Sequence, residues 1–363
     1  MRMDGDAPAV LSVDLDALAA NYATVCAAAA PSRVAAVLKA NAYGLGVGPV
    51  ALRLAREGCC AYFVSSVFEG LELRTVLPKA AVYVLEGATG AAAACRAAGL
   101  VPVLNAMDDV EAWIREGCGA PAAVQVDTGM TRAGLDEKDV AVLEASGALA
   151  QFRPVLLLTQ LACADEPGHA LNQSQVDRFS VFRDRFPGVP TSIANSAGIW
   201  LGPEFRGDVV RAGIALFGGR PQSLGPNPVR PVVRLTARVL QIRRLRQVAT
   251  VGYGGSRTLP TGALVATLGA GYADGVPRSL SDRGHVYLNG LRVPIVGRVS
   301  MDLITLDVTE LGESGCRVGD EAELLGPRMT LEAVAAAAGT IGYEILTRLS
   351  TRLARRYTGD VCI

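Results

Sequence analysis

The sequence predicts an α/β fold, a (β/α)8 barrel of the TIM type followed by a β-rich C-terminal domain. Three observations lead to this prediction. Short apolar runs alternate with amphipathic or alanine-rich stretches across the first two-thirds of the chain. The runs are continuously apolar, as parallel strands are when both faces of the sheet are buried. Beyond Gly219 prolines interrupt the chain, and strand-like stretches separated by Asn-Gly and Gly-Asp turns follow.

Eight apolar runs are the candidate barrel strands. They occupy residues 34–38, 62–65, 82–85, 101–104, 123–126, 155–158, 191–194 and 208–211. Helical patterns lie between them at residues 49–57, 68–76, 91–98, 108–117, 137–145 and 173–185. A further helix is predicted at residues 16–30, because Pro31 ends its pattern. Eight strand–helix alternations match a TIM-type barrel.

The second domain is predicted from strand patterns that follow the proline-rich linker. Its candidate strands lie at residues 235–245, 263–268, 285–288, 293–299, 304–308 and 321–325. One helix is expected at residues 330–338 and another near the C-terminus. We therefore divide the chain into a barrel, residues 1–226, and a β-rich domain, residues 227–363. The first ~10 residues could join the second domain.

Composition excludes several functional classes. Basic and acidic residues number 35 each, so the net charge is zero and nucleic acid is not expected as the main partner. Uncharged runs such as residues 17–32 and 258–273 contain polar residues and fall short of the ~20 apolar residues of a membrane helix. Residues 1–6 lack an apolar signal core. We therefore expect neither a membrane partner nor export.

Cysteine and histidine usage restricts the chemistry further. The eight cysteines form no Cys-x-x-Cys pair, and in so long a chain they fit buried apolar positions in a reducing cytoplasm better than a disulfide framework. His169 and His285 are the only histidines, which excludes a histidine-rich metal site. We therefore expect no metal, and we assign these histidines no role.

Lys39 is the candidate catalytic residue that the sequence singles out. It is one of three lysines, and the other two, Lys79 and Lys138, stand in turn or polar segments. Lys39 instead closes the apolar run at residues 34–38. Apolar surroundings lower the pKa of an amine, which a lysine needs in order to form a Schiff base. Taken alone, a strand-end lysine that reaches solvent would give the same pattern.

The predicted strand ends place Lys39 near an anion-binding set of residues. The site of a TIM-type barrel lies at the carboxyl ends of its strands. Residues 194–198 (Ala-Asn-Ser-Ala-Gly) follow the seventh strand, and residues 211–214 (Arg-Ala-Gly-Ile) follow the eighth. Small residues there expose backbone N–H groups, which suit a phosphate. A lysine, a phosphate cradle and an arginine in one barrel mouth predict pyridoxal 5′-phosphate (PLP) as the cofactor.

Seven sequence blocks, in order along the chain, resemble the alanine racemase family. Residues 36–44 (Ala-Val-Leu-Lys-Ala-Asn-Ala-Tyr-Gly) resemble its PLP-lysine motif, and residues 126–132 (Val-Asp-Thr-Gly-Met-Thr-Arg) resemble its second signature. The other five blocks resemble its phosphate and pyridine loops and parts of its second domain. They are residues 194–198, 210–216, 271–275, 297–302 and 340–344. Seven ordered blocks are far more specific than one motif.

The resemblance implies a role for each site residue. Lys39 would hold PLP covalently and then act as the base on one face of the substrate, and Tyr272 of the partner subunit would be the base on the opposite face. The phosphate would be held by Tyr43, Ser196, Gly213, Ile214 and Tyr343. Arg211 would face the pyridine nitrogen. Arg132 and Met301 would contact the phenolic oxygen of the cofactor or the substrate carboxylate. A homodimer with shared active sites follows from these roles.

Racemisation suits these residue types. A proton leaves the α-carbon on one face and another returns on the opposite face, so two bases are wanted. PLP delocalises the α-carbanion and makes the α-proton acidic. Arg211 cannot protonate the ring nitrogen, since the pKa of a guanidinium is above ~12. Tyr272 must lose its proton near neutrality, and for a phenol this needs cationic or hydrogen-bonding neighbours.

Three positions depart from the family pattern. Gln125 stands where the family usually has a lysine, often carbamylated, that orients the arginine. We predict that a neutral amide, or a bound anion such as chloride, braces Arg132 instead. Gln160 stands where the family tends to have a histidine linked to the catalytic tyrosine, which weakens the expected activation of Tyr272. Leu45 replaces a frequent histidine, with less expected consequence.

The predicted function is a PLP-dependent two-base racemase that interconverts L-alanine and D-alanine and so feeds cell-wall synthesis. One alternative is a racemase of broader or serine-type specificity. Another is a PLP-binding protein with little turnover because of Gln125 and Gln160. The β-rich domain that carries Tyr272 argues against this second alternative. A PLP-dependent lyase or decarboxylase on a related barrel would need other acids or a metal in its site.

Overall fold

Eight parallel strands form the barrel in sequence order, which confirms the predicted TIM-type fold. The protein is described by a computed structural model that covers residues 7–359. Residues 1–6 and 360–363 lie outside the described residues. The prediction that the chain lacks an apolar signal core concerns residues 1–6 and therefore also lies outside them. The barrel strands are Arg33–Val37, Ala61–Val64, Ala81–Val84, Val101–Leu104, Pro121–Gln125, Arg153–Leu158, Thr191–Ser192 and Val209–Ala212. The eighth strand pairs with the first. An isolated parallel bridge between Asn195 and Arg211 joins the chain just beyond the seventh strand to the eighth, so the barrel is nearly closed.

Helices surround the barrel at the predicted places. They are Leu15–Ala29, Val47–Arg56, Val67–Val76, Ala92–Ala97, Met107–Glu116, Glu137–Ala145 and Ala170–Asp184. Polar side chains fix where several of them begin; the Asp14 carboxylate, for example, accepts the backbone N–H groups of Asp16 and Ala17 at 2.9 Å. Among residues 7–359 no helix is long and apolar enough to span a membrane.

The second domain is a mixed eight-stranded sheet with a small separate hairpin. The strands of the sheet are Ala9–Asp14, Val233–Arg244, Leu264–Leu268, His285–Leu288, Leu291–Pro294, Ile304–Asp307, Glu321–Leu325 and Ala354–Thr358. The hairpin pairs Ala249–Val251 with Arg257–Leu259. The domain also contains the helices Gly312–Gly315, Leu331–Ala338 and Gly342–Thr347. Ala9–Asp14 lies between Val233–Arg244 and Ala354–Thr358, so the first described strand of the chain belongs to this sheet.

One predicted strand of this domain is shorter than expected, because the chain changes its pairing partner. The extended run at residues 293–299 pairs with His285–Leu288 only as far as Pro294. Ile295 then donates to the Gly284 carbonyl, and Val296 donates to the Thr305 carbonyl, each at 2.9 Å. One continuous apolar run in the sequence therefore pairs with two different parts of the sheet. The boundary predicted between residues 226 and 227 stays a prediction.

Candidate active site

A cavity of about 160 Å³ opens at the carboxyl ends of the barrel strands. Nine of the predicted site residues line it: Lys39, Tyr43, Arg132, Gln160, Ser196, Arg211, Gly213, Ile214 and Tyr343. Gln125, Tyr272 and Met301 are not among its lining residues. The described lining contains three cationic side chains and no carboxylate. The cavity therefore suits an anionic ligand.

Lys39 follows the first barrel strand and directs its amine into the cavity. Burial, first of all, lowers the pKa of this amine, and the charge of Arg132 and, more weakly, that of Arg211 act in the same direction. The carboxylate of Glu69 opposes them. A lowered pKa leaves more of the amine neutral, which is the form that attacks a carbonyl group.

The chain immediately after Lys39 is a turn of left-handed helix. Ala40, Asn41, Ala42 and Tyr43 all have φ between +53° and +55°. Each non-glycine residue in this conformation costs ~1–2 kcal/mol, so surrounding contacts must hold the turn. The Asn41 side chain accepts the Val47 N–H at 2.7 Å, and Arg355 of the second domain donates to the Gly44 carbonyl at 2.9 Å. Strain of this kind concentrates at functional sites, and here it lies beside the Lys39 amine.

The two loops predicted as a phosphate cradle meet at Ser196 and both line the cavity. Ser196 is buried, and its hydroxyl accepts the backbone N–H groups of Gly213 at 2.8 Å and Ala215 at 3.3 Å. A Cβ atom added at Gly213 would overlap the Tyr43 hydroxyl. Burial raises the pKa of Tyr43 and, with a smaller effect of Asp165, raises the pKa of Tyr343 to about 12. Both phenols therefore stay protonated and can donate hydrogen bonds to an anion.

Arg211 is a buried guanidinium held by neutral oxygens. Its Nη1 donates to the Ser192 carbonyl at 3.0 Å and to the Ser192 hydroxyl at 2.6 Å. Its Nη2 donates to the Thr159 carbonyl at 2.6 Å and to Oε1 of Gln160 at 3.1 Å. Burial lowers the pKa of Arg211 to about 10, so the group stays cationic at neutral pH. Its contacts fix a cation in the cavity that cannot readily give up a proton.

Tyr272 and Met301 lie together in the second domain. The Tyr272 N–H donates to the Ser300 carbonyl and the Ala273 N–H to the Met301 carbonyl, each at 3.0 Å. Buried Asp274 accepts from the Gly271 N–H at 2.8 Å and from two nitrogens of Arg352 at 2.7 and 2.9 Å. The Tyr272 side chain is 39% exposed and the Met301 side chain 53%. A well-braced loop therefore leaves both residues partly exposed, and neither residue lines the cavity of its own chain.

Comparison with known proteins identifies the family of this chain. The family described as alanine racemase, N-terminal domain, matches residues 13–221, and alanine racemase, C-terminal domain, matches residues 232–357. The chain belongs to the alanine racemase family. A relative from Rhodospirillum rubrum named alanine racemase is 46% identical over 99% of this chain and 98% of its own. A catabolic alanine racemase from Agrobacterium fabrum is 44% identical over 97% and 93%.

Solved structures of alanine racemases share this fold. That from Bartonella henselae, which has covalently bound pyridoxal phosphate, is 39% identical, with a TM-score of 0.93 over 97% of this chain and 100% of its own. The biosynthetic alanine racemase from Pseudomonas aeruginosa is 33% identical, with a TM-score of 0.89 over 97% and 100%. The cavity fits PLP, because its lining has three cations and no carboxylate, and because a Cβ atom added at Gly213 would fill the cradle against the Tyr43 hydroxyl.

The two glutamines that depart from the alanine racemase pattern have different contacts. Buried Gln125 donates to the Ala133 carbonyl at 3.0 Å and so holds the backbone beside Arg132. Within residues 7–359 the guanidinium of Arg132 has no hydrogen-bonding or ionic partner, so the predicted bracing of its charge by the amide is not seen. Bracing by a bound anion stays a prediction. Gln160 lines the cavity and accepts from Arg211.

Sequence reasoning missed a buried polar cluster behind this alanine racemase cavity. Gln175 is fully buried, accepts the Ala162 N–H at 2.9 Å, and donates to the Gln160 carbonyl at 2.8 Å and to the Thr128 hydroxyl at 3.1 Å. Thr128 also shares a 2.8 Å hydrogen bond with Thr159. The cluster joins the loop that carries Arg132 to the loop that carries Gln160. Its only sequence signal was a glutamine within a helical pattern.

The cradle gives a prediction for Gly213→Ala. The added methyl group would displace the Tyr43 hydroxyl, whose ring is already packed 4.9 Å from Phe217. We expect cofactor affinity, measured by absorbance titration, to fall ~10-fold or more, since overpacking costs ~1–3 kcal/mol. The matched control is Gly168→Ala, where an added Cβ meets nothing within 4 Å. Equal affinities for the two variants would contradict the cradle.

Proposed function

We propose that the protein is a PLP-dependent amino-acid racemase that interconverts L-alanine and D-alanine. The observation that carries the proposal is the single cavity that holds a strand-end lysine of lowered pKa, a buried arginine and the glycine-bearing cradle. The relatives named alanine racemase support alanine as the substrate. When bound, PLP is an electron sink that makes the α-proton of an amino acid acidic.

In this proposal the chain supplies two bases and the groups that orient the reactants. The Lys39 amine takes or returns a proton on one face of the α-carbon, and the phenol oxygen of Tyr272 does so on the other face. The phosphate would be held by Ser196, the Gly213–Ile214 backbone, Tyr43 and Tyr343.

Two arginines complete the proposed assignments. Arg132 binds the substrate carboxylate, which would give its guanidinium an ionic partner. Arg211 would face the pyridine nitrogen and would not protonate it, because a pKa of about 10 keeps its protons on the guanidinium at neutral pH. Met301 lies beside Tyr272 and contacts the reactants from the same side.

A homodimer with shared sites is part of the proposal. Tyr272 lies outside the cavity that contains Lys39 in its own chain, and a two-base reaction needs both groups in one site. Exposed apolar side chains lie beside Tyr272, at Met301 and Leu303, and near the barrel mouth, at Ile341 and Tyr343. Such side chains suit a subunit interface. In a two-fold dimer each chain would lend its Tyr272 to the cavity of the other.

We place the reaction in the cytoplasm, as a source of D-alanine for the cell wall. The seven cysteines within the described residues are all free, which fits a reducing compartment. Two of the relatives are named catabolic alanine racemases, and the same reversible reaction would serve either direction. No nucleic acid or membrane partner enters the proposal.

The test is turnover by the purified holoenzyme with L-alanine, D-alanine, L-serine and D-serine, followed by chiral chromatography. We expect both alanine isomers to reach an equal mixture, with kcat/KM at least ~10-fold above that for serine, since a pocket contact commonly discriminates by ~1–3 kcal/mol. Gln125 and Gln160 favour a second candidate, a broader or serine-type racemase, which equal or higher serine turnover would support. No turnover of any of the four amino acids would refute both.

A further inference from the structure

Glu69 has an unusual set of contacts beside Lys39. It lies in the first turn of the helix Val67–Val76, and the hydroxyl of the capping residue Ser66, directly before this helix, accepts the Glu69 N–H at 3.3 Å. Ser66 and Glu69 have the spacing of a capping box, in which the glutamate returns to the backbone N–H of the capping serine. Here its Oε2 instead accepts the Ser65 N–H, and its Oε1 accepts the Ala40 N–H, each at 2.7 Å.

The contact with Ala40 reaches across two barrel strands. Ala40 is the first residue of the left-handed turn and is bonded directly to Lys39. Ser65 directly follows the second barrel strand, Ala61–Val64. One carboxylate therefore ties the turn after the first strand to the end of the second. Local helix capping does not account for this bond, because Ala40 is 29 residues away in the sequence.

The charges around Lys39 make the same carboxylate distinctive. Arg132, on the loop after the fifth barrel strand, and Arg211, on the eighth, both disfavour a proton on the Lys39 amine, as burial does. Glu69, on the helix after the second strand, is the acidic group that favours it. A neutral side chain at position 69 would therefore shift the pKa of Lys39 further down.

We propose that Glu69 is a positioning residue for Lys39, which holds the strained left-handed turn and so fixes the direction in which the lysine amine enters the cofactor site. The inference rests on the proposed covalent link between Lys39 and PLP. It adds to that proposal a residue that contacts neither cofactor nor substrate and acts through the Ala40 backbone.

Two substitutions separate the geometry from the charge. Glu69→Gln keeps the length of the side chain but removes the charge and turns one hydrogen-bond acceptor into a donor that faces a backbone N–H. Glu69→Asp keeps the charge but is one methylene shorter and cannot reach both backbone N–H groups. Glu72→Gln is the matched control, because Glu72 is on the same helix and exposed.

The experiment measures PLP binding to the full chain from which the cofactor has been removed, by the absorbance of the covalent link, across a range of pH. We expect the apparent dissociation constant to rise about 10-fold in both Glu69 variants and to stay unchanged in Glu72→Gln. We expect the pH midpoint of covalent capture to fall in Glu69→Gln only, because a lower pKa leaves the Lys39 amine neutral at lower pH.

Unchanged dissociation constants in both Glu69 variants would overturn the inference. The inference would also be overturned if the pH midpoint of covalent capture in Glu69→Gln equalled that in Glu72→Gln. A Glu69 variant with a lower melting temperature and unaltered cofactor binding would overturn it as well. Either result would describe a merely structural residue. If the parent chain itself formed no covalent link with PLP, the proposed function would fail first, and that result is distinct from the others.

Discussion

Lys39→Ala is expected to abolish both the absorbance of the covalent PLP link and alanine racemisation. The variant removes the amine that we propose joins the cofactor and acts as the base on one face of the substrate, and a positioned base alone contributes ~10²–10⁴-fold. We therefore expect kcat to fall ~10³-fold or more. The barrel should remain folded, because the methyl group of alanine leaves the backbone contacts of the left-handed turn in place.

Lys79→Ala is the matched control for this experiment. Lys79 is another of the three lysines, and it is exposed between two barrel elements. The Lys79→Ala variant should retain the absorbance and the activity of the parent enzyme. A Lys39→Ala protein that kept either property at the parent level would remove Lys39 from the mechanism.

Tyr272→Phe is expected to slow proton removal from one alanine isomer far more than from the other. The substitution deletes only the hydroxyl group, so the proposed base on one face would be lost while the proposed base Lys39 would still serve the other face. We expect a loss of ~10²–10⁴-fold for the affected isomer. Exchange of the α-proton for deuterium, followed by NMR for L-alanine and D-alanine separately, measures the two faces independently.

Tyr287→Phe provides the control for the loss of a phenol in the same domain. Tyr287 packs its ring 4.9 Å from the guanidinium carbon of Arg328, a contact that phenylalanine can keep. In Tyr287→Phe, the rates of α-proton exchange for both alanine isomers should equal those of the parent enzyme. Equal slowing of both isomers in Tyr272→Phe would point to a positioning role, and parent-level rates for both would exclude Tyr272 as a base.

Continuous apolar runs made the barrel predictable from the sequence. Most residues of the eight strands are buried, and each hydrophobic run is bounded by polar or small residues. The C-terminal strand Ala354–Thr358 gave no such signal, because it contains two arginines and lies at the edge of its sheet. Ala9–Asp14 alternates buried and partly exposed residues, and that period could have identified it.

The sequence predicted the residues of the candidate site where chemistry and strand ends coincide. Lys39, Arg211 and Gly213 were found in this way, and all three line one cavity. Glu69 was missed because its spacing from Ser66 matches ordinary helix capping. Gln175 was missed because its three partners come from loops distant in the sequence. The capping spacing of Glu69 and the helical position of Gln175 carry no information about contacts with distant parts of the barrel.

Co-expression of Lys39→Ala and Tyr272→Phe chains tests most directly whether each site combines residues of two copies. In a dimer of one chain of each kind, one cavity would have both defects and the other would have neither. Random pairing would then restore about a quarter of the parent activity, above that of either variant alone. The proposed shared site predicts this recovery, and activity no higher than the average of the two separate variants would contradict it.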